Sequence, residues 1–403
     1  MGHTTGLEGS GAPRFGQAKP PAAPKPCQCA EHQDRLWWGR RFRLPCLSLR
    51  HIAIILLAMA VPFAARGEDI WKGVGRIVAV GDVHGDLPAF TEVLRASGVI
   101  DRDNNWTGGK THLVQNGDLL DRGPDSRKLI ELLMKLEKQA RAAGGEVHCL
   151  IGNHETMNLY GDLRYVSAAD YASYQTDDSS ALRDKAYKQH VDDLRHDPQT
   201  ASMEPDDAYR KKWEATHPLG FVERQAYFSS TGAAGKWIRG HNAVIKINDL
   251  IFLHGGISPK YAKFSVRKFN DEISKEVRDF SKLEGGVAMD QEGPLWYRGL
   301  AQDDEQQLTP HVKSVLERLG AKYIVIAHTP TKGGMVLPRF EGKVLMIDVG
   351  LSQVYGSHSA CLIVEDGKAQ ALHRGNKVPL PMMPADLTRY LNQIRNLEAM
   401  PRP

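Results

Sequence analysis

An α/β fold is predicted by two features of the chain. Short apolar, β-branched runs recur along it, and each ends directly on a polar, glycine-containing motif. Residues 76–80 precede Gly81-Asp82-Val83-His84-Gly85, and residues 112–115 precede the 117–123 motif that holds Asp118, Asp121 and Arg122. Residues 146–151 precede Gly152-Asn153-His154-Glu155, 250–253 precede His254-Gly255-Gly256, and 323–327 precede His328-Thr329. Five polar groups thus follow the carboxyl ends of five strands, where open α/β sheets build their sites. The glycines permit sharp turns and close backbone approach.

Taken in order, the first segment is unlike the rest. Residues 1–50 read as a disordered, basic extension, rich in Gly, Pro, Ala and Lys without apolar periodicity. Arg40, Arg41, Arg43 and Arg50 then precede an apolar run over 52–65, so 51–66 reads as a signal-like segment. That run is short for a membrane span. A cleaved signal there implies an exported or periplasmic protein; otherwise the chain is membrane-anchored or cytoplasmic. A catalytic domain is expected over 72–380, with a tail and terminal helix over 381–403. A helical insertion is expected over about 167–242, with helices over 168–196 and 206–217, the second opening at Glu204-Pro205-Asp206-Asp207. Its Tyr165, Tyr171, Tyr174 and Trp213 either roof the site or pack the insertion down, and packing is the ordinary role of aromatics. Arg239 and Asn242 are placed within reach of substrate. Residues 243–253 read as a hairpin turning at Asn248-Asp249. A helix over 261–280, another opening at Thr309-Pro310, strands over 335–340 and 343–347, a hairpin turning at Asp366-Gly367 and a helix over 387–397 follow.

The motif residues share one chemistry. Asp82, Asp118, His84, His254, His328 and Asn153 are two carboxylates, three imidazoles and an amide, all able to ligate metal. Phosphoester hydrolysis needs a strong nucleophile at neutral pH and positive charge on the phosphate oxygens. Two divalent ions about 3.5–4 Å apart supply both. Asp118 is the candidate bridge, Asp82 and His84 complete one ion's set, and Asn153, His254 and His328 the other's. Imidazole with oxygen ligands suits Mn, Fe or Zn. His154 is left over beside Asn153 and suits a general acid, with Asp121 to orient it. Arg122 and Arg298 can grip phosphate bidentately. Asn153 also faces the substrate, and Tyr355 lies near the late motifs as a lining residue. His112, His148, His217 and His358 read as packing or solvent-facing.

These motifs resemble the phosphoprotein phosphatase family of the calcineurin-like metallophosphoesterases, which reads GDxHG, GDxxDRG, GNHE, HGG and a late His. The resemblance covers about 76–356, and residues 152–158, 161–166, 254–259, 293–299 and 348–350 resemble its Shewanella-like branch. It implies two mixed β-sheets packed as a sandwich and flanked by helices, with the metal, acid and arginine roles above. Ile151 stands where eukaryotic Ser/Thr phosphatases carry Arg, and no SAPNY-type segment lies between His328 and Asp348. The resemblance therefore implies weak sensitivity to the toxins that block those enzymes.

Together the motifs imply metal-dependent hydrolysis of phosphomonoesters on phosphoproteins, at Ser/Thr and also Tyr, by a metal-activated hydroxide. The alternatives are a dinucleoside polyphosphate or other small-molecule phosphoesterase, and an inactive phosphoprotein-binding scaffold. The 403 residues carry a net charge of +4. Residues 1–66 hold nine Lys/Arg and three Asp/Glu, so the remainder is −2, with no electrostatic footprint for nucleic acid. The expected partner is a phosphoprotein or phosphopeptide, with membrane contact only through the N-terminal segment. Cys149 and Cys361 are too few for a disulfide framework.

Overall fold

The computed structural model describes residues 68–381 and 384–400. The basic extension and the signal-like segment lie outside the described residues. No helix among the described residues is long and apolar enough to cross a membrane.

Twelve strands form two mixed sheets. In chain order they are β1 (Ile70–Trp71), β2 (Arg76–Val80), β3 (His112–Gln115), β4 (Glu146–Cys149), β5 (Val244–Ile247), β6 (Leu250–Leu253), β7 (Tyr323–Ile326), β8 (Leu337–Arg339), β9 (Val344–Met346), β10 (Ala360–Glu365), β11 (Lys368–His373) and β12 (Asn376–Pro379). One sheet has the order β1-β5-β6-β7-β9-β8, the other β12-β11-β10-β2-β3-β4. Each contains a parallel trio: β6, β7 and β9 at the centre of the first, and β2, β3 and β4 at one side of the second, with β4 on its edge. Strands buried on both faces read as continuous apolar runs, and Ile77–Val80, Leu250–Leu253 and Ile324–Ile326 are buried throughout. One continuous core joins the two sheets. The Asn116 amide stitches them where they meet, donating from Nδ2 to Leu253 O at 2.9 Å.

The helices are α1 (Leu87–Ala96), α2 (Ser126–Ala142), α3 (Asn153–Tyr160), α4 (Ala168–Ala172), α5 (Ser179–His196), α6 (Asp207–Thr216), α7 (Phe221–Phe228), α8 (Ala233–Arg239), α9 (Val266–Glu276), α10 (Gly299–Gln302), α11 (Glu305–Leu319) and α12 (Pro384–Glu398). Helices α2, α9 and α12 lie against β4, β5 and β12. The expected 168–196 helix is two, α4 and α5. Asp206 caps α6 by accepting from Tyr209 N at 2.8 Å, at the expected start. The 261–280 helix contracts to α9 between two short 3₁₀ turns. Helix α11 starts at Glu305 instead of Thr309, because Asp304 caps it from Gln307 N at 3.0 Å. Pro310 therefore sits inside the helix. Strand β12 was not expected; the chain reverses into it through Arg374-Gly375, both left-handed.

Candidate active site

The carboxyl ends of the two parallel trios face one another, and every motif sits there. Asp82 and His84 follow β2, Asp118 follows β3, Asn153 and His154 open α3 after β4, His254 follows β6 and His328 follows β7. A sixth strand, β9, adds Asp348. The chain must turn sharply at each end to aim a side chain back at the centre. His84, Asp118, Asp121, Arg122 and His328 accordingly have φ of 48°, 54°, 70°, 66° and 66°. Asp and His tolerate this left-handed region better than most residues. Gly117 has φ of 87°, and a Cβ there would lie 2.7 Å from His254 Nδ1 and 2.9 Å from Gly152 Cα.

Around His254 Nε2 the donor atoms crowd together. Asn153 Oδ1 lies 3.0 Å away, His328 Nδ1 3.1 Å and Asp118 Oδ2 3.1 Å. Asp118 Oδ2 also faces His84 Nε2 at 3.9 Å, which in turn faces Asp82 Oδ2 at 3.7 Å. Asp118 is thus common to two ligand sets. The rings are held for this work from behind: His84 Nδ1 meets Leu120 O at 3.0 Å and His254 Nδ1 meets Asn116 O at 2.9 Å. When Nδ1 carries the proton, the Nε2 lone pair points into the site, which is how metal-ligating histidines are oriented. Asp82 Oδ1 accepts from the His328 amide at 3.1 Å.

Charge in this pocket is crowded and dry. Burial, then Asp348 and Asp118, push the Asp82 carboxyl well above the carboxylate range. Burial likewise raises Asp348 to about 6 and Glu155 to about 7. Burial lowers the His84 imidazole to about 4 and drops His328 well below its usual value, with His254 and Arg298 adding to the latter. Burial also opposes ionisation of Asp118, but the His254, His154 and His84 rings outweigh it and hold that carboxyl well below its ordinary value. Imidazoles packed around paired carboxylates are a cation's ligand set. The donor types, their convergence and the orphaned Oδ2 of buried Asp348 fit divalent ions.

His154 stands at the rim. Its Nδ1 lies 2.6 Å from Asp121 Oδ2, and its Nε2 3.8 Å from Asp118 Oδ2. Burial depresses its imidazole, but Asp118 and Asp121 overcome that and raise it. Asp121, expected to orient His154, meets that ring through Oδ2 and accepts from Asn158 Nδ2 on Oδ1 at 3.0 Å. Arg122 rests its guanidinium 4.4 Å from the Tyr165 ring and 5.4 Å from Tyr355, and its buried Nε has no partner. Arg298 donates from Nη1 to His328 O at 2.7 Å and to Thr329 Oγ1 at 2.9 Å, which keeps its head at the pocket edge. Tyr355 also tilts against the His84 ring at 5.2 Å.

Two expectations fail. Arg239 does not reach the site: its Nε and Nη1 donate to Val277 O and Gly235 O, stapling α8 to the turn after α9. Asn242 spends its Nδ2 on Glu68 O at 3.0 Å, while its backbone carbonyl accepts from Ile151 N just ahead of the third motif. Among the insertion's aromatics, Tyr165 touches the site, 5.1 Å from the His154 ring. Trp213 stacks on His217 at 4.1 Å, and Tyr174 packs against Tyr227 and Phe228. Glu155 was overlooked. Its carboxylate accepts from Asp118 N (2.8 Å), Leu119 N (2.9 Å) and Gly152 N (2.8 Å), lashing the second motif to the third. A glutamate at the third position of a helix is the capping-box signal that would have found it.

A calcineurin-like phosphoesterase family model matches residues 75–332. The chain belongs to that family. It is 33% identical over 311 residues to an uncharacterised protein of Schizosaccharomyces pombe, covering 75% of this chain and 82% of that one. It is 28% identical over 291 residues to Shewanella-like protein phosphatase 2 of Arabidopsis thaliana, covering 69% and 72%. Among solved structures, a cold-active protein tyrosine phosphatase of a psychrophilic Shewanella is similar at a TM-score of 0.59 and 27% identity, covering 78% and 82%. A calcineurin-like phosphoesterase implies divalent metal ions, and two of the three groups of side chains able to hold one among the described residues share Asp118: His84-Asp118-His154 and Asp118-His254-His328.

Proposed function

We propose that the chain is a metal-dependent phosphatase acting on phosphoproteins. The observation that carries the reading is the shared Asp118 between two ligand sets, with the His154–Asp121 pair beside it. The relatives named protein phosphatases support the substrate class. Asp82, His84 and Asp118 would hold one ion; Asp118, Asn153, His254 and His328 would hold the other. Such a pair, of Mn, Fe or Zn, acidifies water and neutralises phosphate charge when bound. The chain's own groups do the rest. Arg122 and Arg298 bind the non-bridging phosphate oxygens. Tyr165 and Tyr355 flank Arg122 and shape the entrance. With Nδ1 donating to Asp121, His154 presents Nε2 to the leaving oxygen and gives it a proton.

The test is phosphate release from phosphoserine, phosphothreonine and phosphotyrosine peptides beside a dinucleoside tetraphosphate, with Mn²⁺ and with chelator. Chelator-sensitive release from the peptides is expected. Release from the nucleotide alone would overturn the substrate class, and silence with metal bound would make the chain a scaffold.

A further inference from the structure

The helical insertion also reaches the site from behind, through Arg224. Arg224 in α7 is 1% exposed, yet no part of the reaction above uses it. Its Nε donates to Asp170 Oδ2 at 2.8 Å and its Nη2 to Asn158 Oδ1 at 2.6 Å. Asn158, in turn, donates from Nδ2 to Asp121 Oδ1 at 3.0 Å, and Arg224 Nη2 itself lies 3.8 Å from that oxygen. The other oxygen of Asp121 is the one that holds His154. A buried chain of polar contacts therefore runs from the insertion to the proton donor: Asp170, Arg224, Asn158, Asp121, His154.

We infer that Arg224 is a positioning residue for proton donation by His154, and that this is what the insertion contributes to catalysis. The reading rests on His154 being the acid proposed above. Only the Nδ2 end of an amide can donate to a carboxylate. Because Arg224 occupies Asn158 Oδ1, the Nδ2 end is committed to Asp121. That fixes the rotation of the Asp121 carboxylate, and with it the plane of the His154 ring. The guanidinium is itself held. Phe228 lies 4.5 Å from its Cζ, with Tyr171 and Tyr174 at 5.7 and 5.8 Å. Asp170, within α4, also accepts from Ser126 N at the start of α2, at 3.2 Å. The aromatics that pack the insertion thus pack it around this arginine. Arginine suits the place because its planar fork serves Asp170 and Asn158 at once, which a lysine cannot do.

A proton donor matters only when the leaving group needs a proton, and that makes the inference separable from simple folding damage. The variants are Arg224→Lys, Arg224→Met with Asp170→Asn (which removes the buried pair together), and His154→Asn as reference. Each is assayed with phenyl phosphate, whose leaving group is basic, and 2,4-dinitrophenyl phosphate, whose leaving group departs unassisted. Metal content and thermal unfolding are measured in parallel. His154→Asn is expected to lose turnover on phenyl phosphate and largely keep it on the dinitrophenyl ester. The double variant should lose roughly 10- to 100-fold in kcat on phenyl phosphate, with KM, metal content and the dinitrophenyl rate nearly unchanged. Arg224→Lys should recover part of that loss. An equal loss on both esters, or none on either, beside a selective His154→Asn would overturn the role of Arg224 alone. A His154→Asn variant with no selectivity would remove the proposed acid and this inference with it.

Discussion

Asp118 is the residue on which the site turns, since both ligand sets need it and its backbone is bent into the left-handed region to deliver it. Asp118→Asn keeps the shape and removes the charge. It should lower turnover by orders of magnitude and halve or abolish metal content, read by elemental analysis. Gly117→Ala acts on the same point through sterics. Its Cβ meets the His254 ring and the Gly152 backbone, so ligand geometry and stability should fall together. Glu155→Gln tests the overlooked brace. An amide cannot accept at both ends, so at least one of the three amides now paired with Glu155 loses its acceptor, at a cost of about 1–3 kcal/mol, measurable by chemical denaturation.

At the scale of elements, β3 and β4 carry a histidine pair of their own, His148 buried and His112 half-buried. His112 Nδ1 lies 2.9 Å from His148 Nε2, and the Trp71 ring of the opposite sheet closes over His148 at 4.4 Å. Burial lowers both imidazoles, and His112 adds to the depression of His148. The unfolded chain takes up protons at these rings near pH 6.5 while the folded one does not. Stability should therefore be full above that value and fall as pH drops below it, and His148→Gln should flatten the slope of a pH series of unfolding curves. The strands before the five motifs were legible in the sequence because burial on both faces leaves an apolar run, and the ligands because they stand directly after those runs. Helix limits were less legible. Asp304 sets the start of α11 through a cap that competes with a nearby proline, and a buried arginine such as Arg224 has no local pattern at all. Its partners lie 54 and 66 residues away. Arg239 was misplaced for the converse reason, as charge in sequence does not tell whether it is spent on backbone carbonyls.

For the molecule as a whole, metal and fold should be coupled. The proposed ligands come from both sheets, so an ion bound among them would bridge the two. An ion binding only the folded state at 100 times its Kd adds about 2.7 kcal/mol. Chelation should lower Tm by several degrees, Mn²⁺ should restore it, and Asp118→Asn should show a much smaller difference. The path of the chain has a consequence in time. It leaves the second sheet after β4, builds most of the first, and returns only at β10. Asp82 emerges early in synthesis, but the backbone amide that meets its carboxylate belongs to a residue 246 positions later. A growing or prematurely ended chain is therefore inert for most of its length. Catalytic competence arrives late and all at once, so an unfinished copy does not hydrolyse phosphate before its pocket can choose a substrate.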